Sequence, residues 1–276
     1  MTTMLDLSAI KARQQKTWAS GDYHAVAARI YPISELLVAS ADLPAGARVL
    51  DIATGSGNAA LAAARCGCLV TGLDYVPELL ARGEHRAAAE GLTVEFVVGD
   101  AERIGYPNGA FDAVLSVVGV MFAPDQEQAA AELVRVCRPG GTIGLACWTP
   151  DGFIGDLFRA VGRHVPPPKG LRAPAEWGTE QRLDELFGTA VTNVRATRRE
   201  FVFRFATPEQ FADFFRENYG PTLKAFEALG AGHGGPLHAD LVELARQWNV
   251  ATDGTVRIPS AYLEVVAERA GDGRTR

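Results

Sequence analysis

The stretch Asp51 to Asn58 reads Asp-Ile-Ala-Thr-Gly-Ser-Gly-Asn and leaves a short apolar run, Arg48 to Ile52. Gly55 and Gly57 let the chain turn sharply and let backbone approach a ligand with no Cβ in the way. The helix expected next, Asn58 to Ala64, would present its unpaired N–H groups to a carboxylate or phosphate. Strand, glycine turn and helix in that order form one βα unit of a parallel sheet, and few other folds accommodate it.

The rest of the chain repeats that texture. Cys68 to Leu73, Thr93 to Val98, Phe111 to Val118 and Thr142 to Trp148 read as further strands. Helices are expected from Pro77 to about Glu90, with proline in the first turn, and from Gln126 to Cys137, stopped by Pro139, Gly140 and Gly141. The alternation predicts an α/β, doubly wound, mainly parallel sheet. Helical spacing in Ser8 to Ala19 and Tyr23 to Ser40, with Val26, Ile30, Leu36 and Leu37 as the apolar stripe of the second, makes residues 1–40 an N-terminal helical cap. Asp151 to Val165 reads as helix, Pro166 to Pro174 as loop and Thr192 to Phe205 as a sixth strand, completing a core over residues 41–206. Thr207 then caps a helix through Glu217, and Pro221 to Leu229 and Leu237 to Val250 flank the glycine-rich Gly230 to Gly235, so residues 207–257 form a helical insertion. Ala261 to Ala267, within residues 258–270, is a seventh strand, and residues 271–276 are expected to be a flexible polar tail. No internal repeat is present.

At 276 residues and 47% hydrophobic, the chain can bury a full core. Its net charge of −6, with Lys and Arg scattered, offers no footprint for a phosphate backbone, so no nucleic-acid partner is expected. Met1 to Ile10 lacks the pattern of a secretory signal, and no run approaches a membrane span. Four cysteines are too few for a disulfide scaffold, which suits a reducing, cytoplasmic setting. Cys66 and Cys68 form a Cys-x-Cys pair without a second pair nearby, while Cys137 and Cys147 follow helix and strand patterns; all four read as structural thiols, and no metal is expected.

The glycine loop alone leaves the ligand open, because Gly55, Gly57 and Ala60 also satisfy the dinucleotide pattern Gly-x-Gly-x-x-Ala. Asp51, four residues before Gly55, is unwelcome beside a pyrophosphate but suits the ammonium of a methionine moiety, whose carboxylate can use the loop N–H groups. Asp74, ending the second strand, can accept from both ribose hydroxyls, which would serve NAD equally. The step Gly99-Asp100-Ala101 puts another carboxylate at the sheet edge, able to accept from an adenine amino group, with Ala101 small enough for adenine to lie against. Tyr75 could cover one adenine face, and Ser116 in Ser116-Val117-Val118-Gly119 would lie beside the methionine chain. Each has an ordinary reading too: Asp51 as a strand-end carboxylate, Asp74 as a helix cap, Asp100 as a turn residue. Asp112 only opens the fourth strand.

Together, the Asp-x-Ala-x-Gly-x-Gly loop, Asp74, Gly99-Asp100-Ala101, Phe111-Asp112 and Arg138-Pro139-Gly140-Gly141, in order between Val49 and Trp148, resemble the class I S-adenosylmethionine-dependent methyltransferases, similar to the ubiquinone/menaquinone-biosynthesis-type group. The resemblance implies S-adenosylmethionine as cofactor and an antiparallel last strand inserted between strands five and six of a seven-stranded sheet. Ala53 stands where many relatives carry the first loop glycine. Caps before the first strand line the pocket in similar enzymes, so Tyr23 and Tyr31 are expected to close over the methionine end. His24 and His164 are the histidines best placed to act as a base, ahead of His233, His238 and an outward-facing His85, though each has a structural or solvated alternative. Met121, Phe122, Trp148, Phe211, Phe214, Phe215 and Tyr219 could enclose an aromatic or lipid-like acceptor; Phe211 and Phe215, four apart, equally well pin the insertion to the sheet. The reading is methyl transfer to a small-molecule acceptor, an aromatic O- or C-nucleophile. The alternatives are a non-catalytic protein binding S-adenosylmethionine or S-adenosylhomocysteine, and an NAD-dependent oxidoreductase. No oligomeric state follows from the sequence.

Overall fold

The strands expected at 48–52, 68–73, 93–98, 111–118 and 142–148 form in the computed structural model, which describes residues 6–230 and 234–271. His233, the middle of the glycine break and residues 272–276 of the expected tail lie outside the described residues. In chain order the elements are α1 (Leu7–Trp18), α2 (Tyr23–Ala41), β1 (Arg48–Ile52), α3 (Asn58–Arg65), β2 (Leu69–Asp74), α4 (Pro77–Glu90), β3 (Val94–Val98), β4 (Phe111–Val117), α5 (Gln126–Val136), β5 (Cys137–Trp148) and α6 (Phe153–His164). There follow α7 (Glu180–Phe187), β6 (Val191–Phe205), α8 (Pro208–Asn218), α9 (Gly220–Leu229), α10 (Gly235–Trp248) and β7 (Val256–Arg269).

The seven strands form one sheet in the order β3-β2-β1-β4-β5-β7-β6. β1 to β5 pair in parallel, and β7 runs antiparallel to both β5 and β6. The chain therefore winds outward from β1 in one direction and from β4 in the other. Where the winding reverses, the connections after β1 and β4 diverge and leave a crevice at the strands' carboxyl ends, which is where ligands bind such sheets.

Small side chains make the crevice narrow. In α3, Ala59, Ala60, Leu61, Ala62 and Ala63 are all buried, so the helix lies close against the sheet and draws the glycine loop down onto it. Beside α3, α2 packs against it and against β5 and β7, burying Val26, Ala27, Ile30, Ile33, Leu37 and Val38. The apolar stripe of α2 is shifted from the expected one: Ile33 is buried, and Leu36 faces solvent. α1 buries no residue and lies on the body as an outer layer.

Three stretches differ from expectation. Residues 137–141 join β5 instead of ending a helix: Phe111 pairs with Cys137 and Ala113 with Thr142, so Arg-Pro-Gly-Gly bulges out of register. Arg138 anchors the bulge by an ion pair to Asp112, and Gly140 turns it with a φ of 70°. β7 begins at Val256, well before Ala261, because the segment pairs with β6 from Phe205↔Val256 to Val191↔Arg269, with a register shift between Thr192 and Arg195. Finally, α7 was absent from the sequence reading, although Thr179 caps it and Leu183 and Phe187 bury its inner face at helical spacing. Among α8 to α10, Phe211 packs on Phe153 and Phe205, and Phe215 on Phe203, pinning the insertion to the sheet.

Candidate active site

Asp51 ends β1 almost fully buried, at 2% exposure, beneath the turn it begins. Its Oδ2 accepts hydrogen bonds from the Thr54 hydroxyl at 2.5 Å and the Ala60 N–H at 2.9 Å, tying the first turn of α3 to the strand end. Asp74, at 5% exposure, accepts from Gly55 N–H and Val76 N–H, each at 2.9 Å, one on each oxygen. The two carboxylates thus shape the loop from below and from the side. Burial raises the pKa of both, Asp51 to about 7 and Asp74 to about 6, against the opposing pull of those hydrogen bonds. Asp74 also raises that of Asp51 by like-charge repulsion. Either group gains from a cation or a hydroxyl donor placed beside it.

The loop is left-handed at three positions: Ala53 (φ 52°), Gly55 (φ 56°) and Gly57 (φ 86°). Glycine adopts this conformation freely, whereas at Ala53 the Cβ costs on the order of 1 kcal/mol. From the opposite side Gly119 closes on Ala53, where any Cβ would stand 2.6 Å from the Ala53 carbonyl oxygen. Val118, a β-branched residue, is also left-handed (φ 51°). Strain of this kind is concentrated where backbone is shaped for a ligand.

Between these walls opens a cleft continuous with solvent. Ala53, Gly55, Asp74, Tyr75, Asp100, Ala101 and Tyr23 line it. A Cβ on Gly55 would lie 3.5 Å from the Tyr23 ring, which covers the loop. Gly57 instead caps α3 and packs under Phe96, away from the opening. Asp51 borders a small gap between Tyr23, Gly55, Ser56 and Asn58. Ser116 is buried, donating to Ile52 O at 2.7 Å and accepting from Val120 N–H at 2.9 Å; it braces the β4 exit and does not line the cleft.

Neither candidate histidine lines it. His24 Nδ1 lies 3.1 Å from Ser56 Oγ behind the loop, and burial, with Arg86 adding to it, lowers its pKa. His164 lies across the insertion, its Nε2 2.9 Å from Asp240 Oδ2. His238 similarly faces Asp213, and His85 is exposed. Tyr31 is half exposed on the outer side of α2, because its position falls opposite the buried Val26–Ile30–Ile33 stripe.

Several lining residues had no place in the sequence reading. From α1, Lys11, Gln14 and Trp18 face the cleft. Lys11 Nζ pairs with Asp100 Oδ2 at 2.7 Å and with Glu102, and Gln15 Nε2 donates to Tyr75 O at 2.5 Å. Trp18 packs edge-on against Tyr23, Phe122 and Tyr219. The signal was the spacing 11, 14, 15, 18, one helical face carrying polar groups and an aromatic.

Beyond Tyr23 and Val118, a narrow gap is bounded by Val26, Ile30, Trp148, Ile154, Leu157, Phe203, Phe215 and Tyr219. Its lining holds no histidine, carboxylate or ammonium. Among the described residues, no group of three or more His, Cys, Asp or Glu could hold a metal ion, and no helix is long and apolar enough to cross a membrane. Cys66 is exposed and the other three thiols are buried, with Cys147 pushed up to about 12 by burial.

The methyltransferase domain family matches residues 50–145. A Mycobacterium tuberculosis protein, itself described only as uncharacterised, is 41% identical over 265 residues, covering 94% of this chain and 95% of its own. The demethylmenaquinone methyltransferase of Deinococcus radiodurans is 34% identical over 173 residues, covering 61% of this chain and 66% of that enzyme. Among solved structures, the YcgJ protein of Bacillus subtilis superposes with a TM-score of 0.61 at 18% identity, covering 86% of this chain and 98% of that one. The chain belongs to the class I S-adenosylmethionine-dependent methyltransferases and is similar to the demethylmenaquinone methyltransferases. Its cofactor is S-adenosylmethionine, which sets aside the nicotinamide reading of the glycine loop.

Proposed function

We propose that the protein transfers a methyl group from S-adenosylmethionine to a small, largely apolar acceptor, an aromatic O- or C-nucleophile. The observation that carries the acceptor class is the apolar and aromatic wall beyond Tyr23 and Val118, which adjoins the cofactor cleft; the gap it leaves is water-sized, so an acceptor ring has to part these side chains as it enters. A relative named for demethylmenaquinone is consistent with a ring acceptor.

The cleft's own groups fit the cofactor. Asp74 has both oxygens at the cleft wall with lone pairs left for two ribose hydroxyls. Asp51, near the loop and Tyr23, supplies negative charge for an ammonium, and the N–H groups of the loop and the α3 start suit a carboxylate. Ala101, Tyr75 and Leu79 offer flat apolar surface for adenine. When bound, S-adenosylmethionine supplies an activated methyl group on a sulfonium. The protein's part is then to orient a nucleophile in line with it and to exclude water, which can lower a barrier by roughly 7–11 kcal/mol.

No side chain on the acceptor side is a base at neutral pH. Burial raises the Tyr219 phenol well above its ordinary value, with Tyr23 adding to it, and raises Tyr23 likewise, with Asp74 adding to it. Both therefore remain neutral hydrogen-bond donors. The acceptor's own acidity sets how readily it loses its proton, in keeping with a phenol or enol.

The test is incubation of purified protein with a labelled methyl donor and panels of phenols, quinols, amines, polynucleotide and histone, with calorimetry for the cofactor. Transfer to phenols or quinols, with a pH–rate profile that follows each acceptor's own pKa, is the expected result. Transfer confined to polynucleotide or histone would refute the acceptor class. Tight cofactor binding with no product across the panel would favour a non-catalytic binding role.

A further inference from the structure

Gln14 faces the cofactor cleft from α1, and its Oε1 is buried with no hydrogen-bond partner. A buried amide oxygen left unpaired is destabilising, so a ligand N–H or O–H is the natural complement. Its place along α1 narrows which one. One turn earlier, Lys11 sits on Asp100 and Glu102 at the end of β3; the next residue, Gln15, is bonded to Tyr75 O at the end of β2; one turn later, Trp18 packs on Tyr23, which covers the glycine loop. Gln14 therefore lies between the carboxyl ends of β2 and β3, on the side of the cleft away from the loop that suits the methionine moiety.

Asp100, the residue expected to accept from adenine, holds one protein partner on each oxygen and keeps further lone pairs. Oδ2 pairs with Lys11, and Oδ1 accepts from Glu102 N–H at 2.9 Å. A glutamine amide has an acceptor and donors in one plane, the complement of an adenine edge that sets an amino N–H beside a ring-nitrogen acceptor.

We infer that Gln14 reads the adenine amino edge of the cofactor, with Lys11 holding α1 in place on Asp100 and Glu102, so that nucleobase specificity comes from the cap helix as well as from the sheet. This rests on the proposed placement of the cofactor in the cleft. Lys11 is in this account a positioning residue.

Calorimetry with two ligands provides the test: S-adenosylhomocysteine, and its analogue in which hydrogen replaces the adenine amino group. The unaltered protein should prefer the amino form by about tenfold, as expected for one hydrogen bond. Gln14→Ala and the closer-sized Gln14→Leu should each weaken the amino form by about that factor, leave the deamino form nearly unchanged, and so abolish the preference. Lys11→Met should weaken both ligands in equal proportion. If both Gln14 variants retain the full preference, or lose both ligands equally, Gln14 only packs the helix and the inference is overturned. If the unaltered protein binds neither ligand, the cofactor placement fails as well.

Discussion

Asp51 and Asp74 are two carboxylates buried beneath one glycine loop, each hydrogen-bonded to backbone of the turn it supports. Their raised pKa values, about 7 and about 6, mean that the free protein holds protons there that an ammonium or a ribose hydroxyl would help expel. Cofactor binding is therefore expected to strengthen as pH rises through 6 and 7 and to release protons, visible as a dependence of calorimetric enthalpy on the buffer's ionisation enthalpy. A pH-independent affinity would contradict the assignment. Asp74→Ala removes the partner of two N–H groups and of the hydroxyls together, and should weaken S-adenosylhomocysteine by roughly a hundredfold, about 2–3 kcal/mol. Asp51→Asn, which keeps the shape and an acceptor, should cost less affinity while flattening the pH dependence.

α1 buries no residue, yet it contributes part of the cleft wall and is held by a few specific contacts. One is backbone: Gly220, at the start of α9, lies so close to the end of α1 that a Cβ there would stand 2.1 Å from Thr17 O. Gly220→Ala is expected to lift the end of α1, weaken cofactor binding several-fold and leave the sheet intact, measured by calorimetry beside an unchanged far-ultraviolet spectrum. How much could be read in advance follows the same division. The βα units were legible because each element carries its own period and punctuation: an apolar run, the loop with Gly55 and Gly57, Pro77 at a helix start. Asp74, Asp100 and Tyr75 were legible as cleft residues because they sit at strand ends that the topology must bring together. The roles of Lys11, Gln14 and Trp18 were not, since which face of a weakly amphipathic helix meets the body depends on tertiary contact. The same is true of Ser116, whose hydroxyl is consumed by backbone at 52 and 120, and of His164, drawn away by Asp240. β7 was underestimated because its long pairing with β6 extends beyond its own apolar alternation.

Across the whole molecule, the buried carboxylates set a pH trend in stability. A carboxyl whose pKa is higher folded than unfolded contributes stability that is complete below its ordinary value of 3.8 and is lost as pH rises through its folded value. For Asp51 and Asp74 that loss falls between about pH 4 and about 7. His24, with a lowered pKa, acts in the opposite sense, losing stability as pH falls through its folded value. The informative comparison is therefore the unaltered protein against Asp51→Asn: the denaturant midpoint of the cofactor-free protein should fall less between pH 5 and 8 in the variant, windows taken from the same two shifts. The sheet order carries a different consequence, for the chain as it is made. β5 and β6 are separated by the strand that is synthesised after both, so until residues 256–269 leave the ribosome β5 has only β4 beside it and β6 has no neighbour. The nascent chain holds a finished β3-β2-β1-β4-β5 half with an open edge, and a long β6 of 15 residues with nothing to pair against. β7 is the strand that joins them, and during synthesis this protein is most exposed to chaperones and to mispairing in the interval between the emergence of β6 and that of β7.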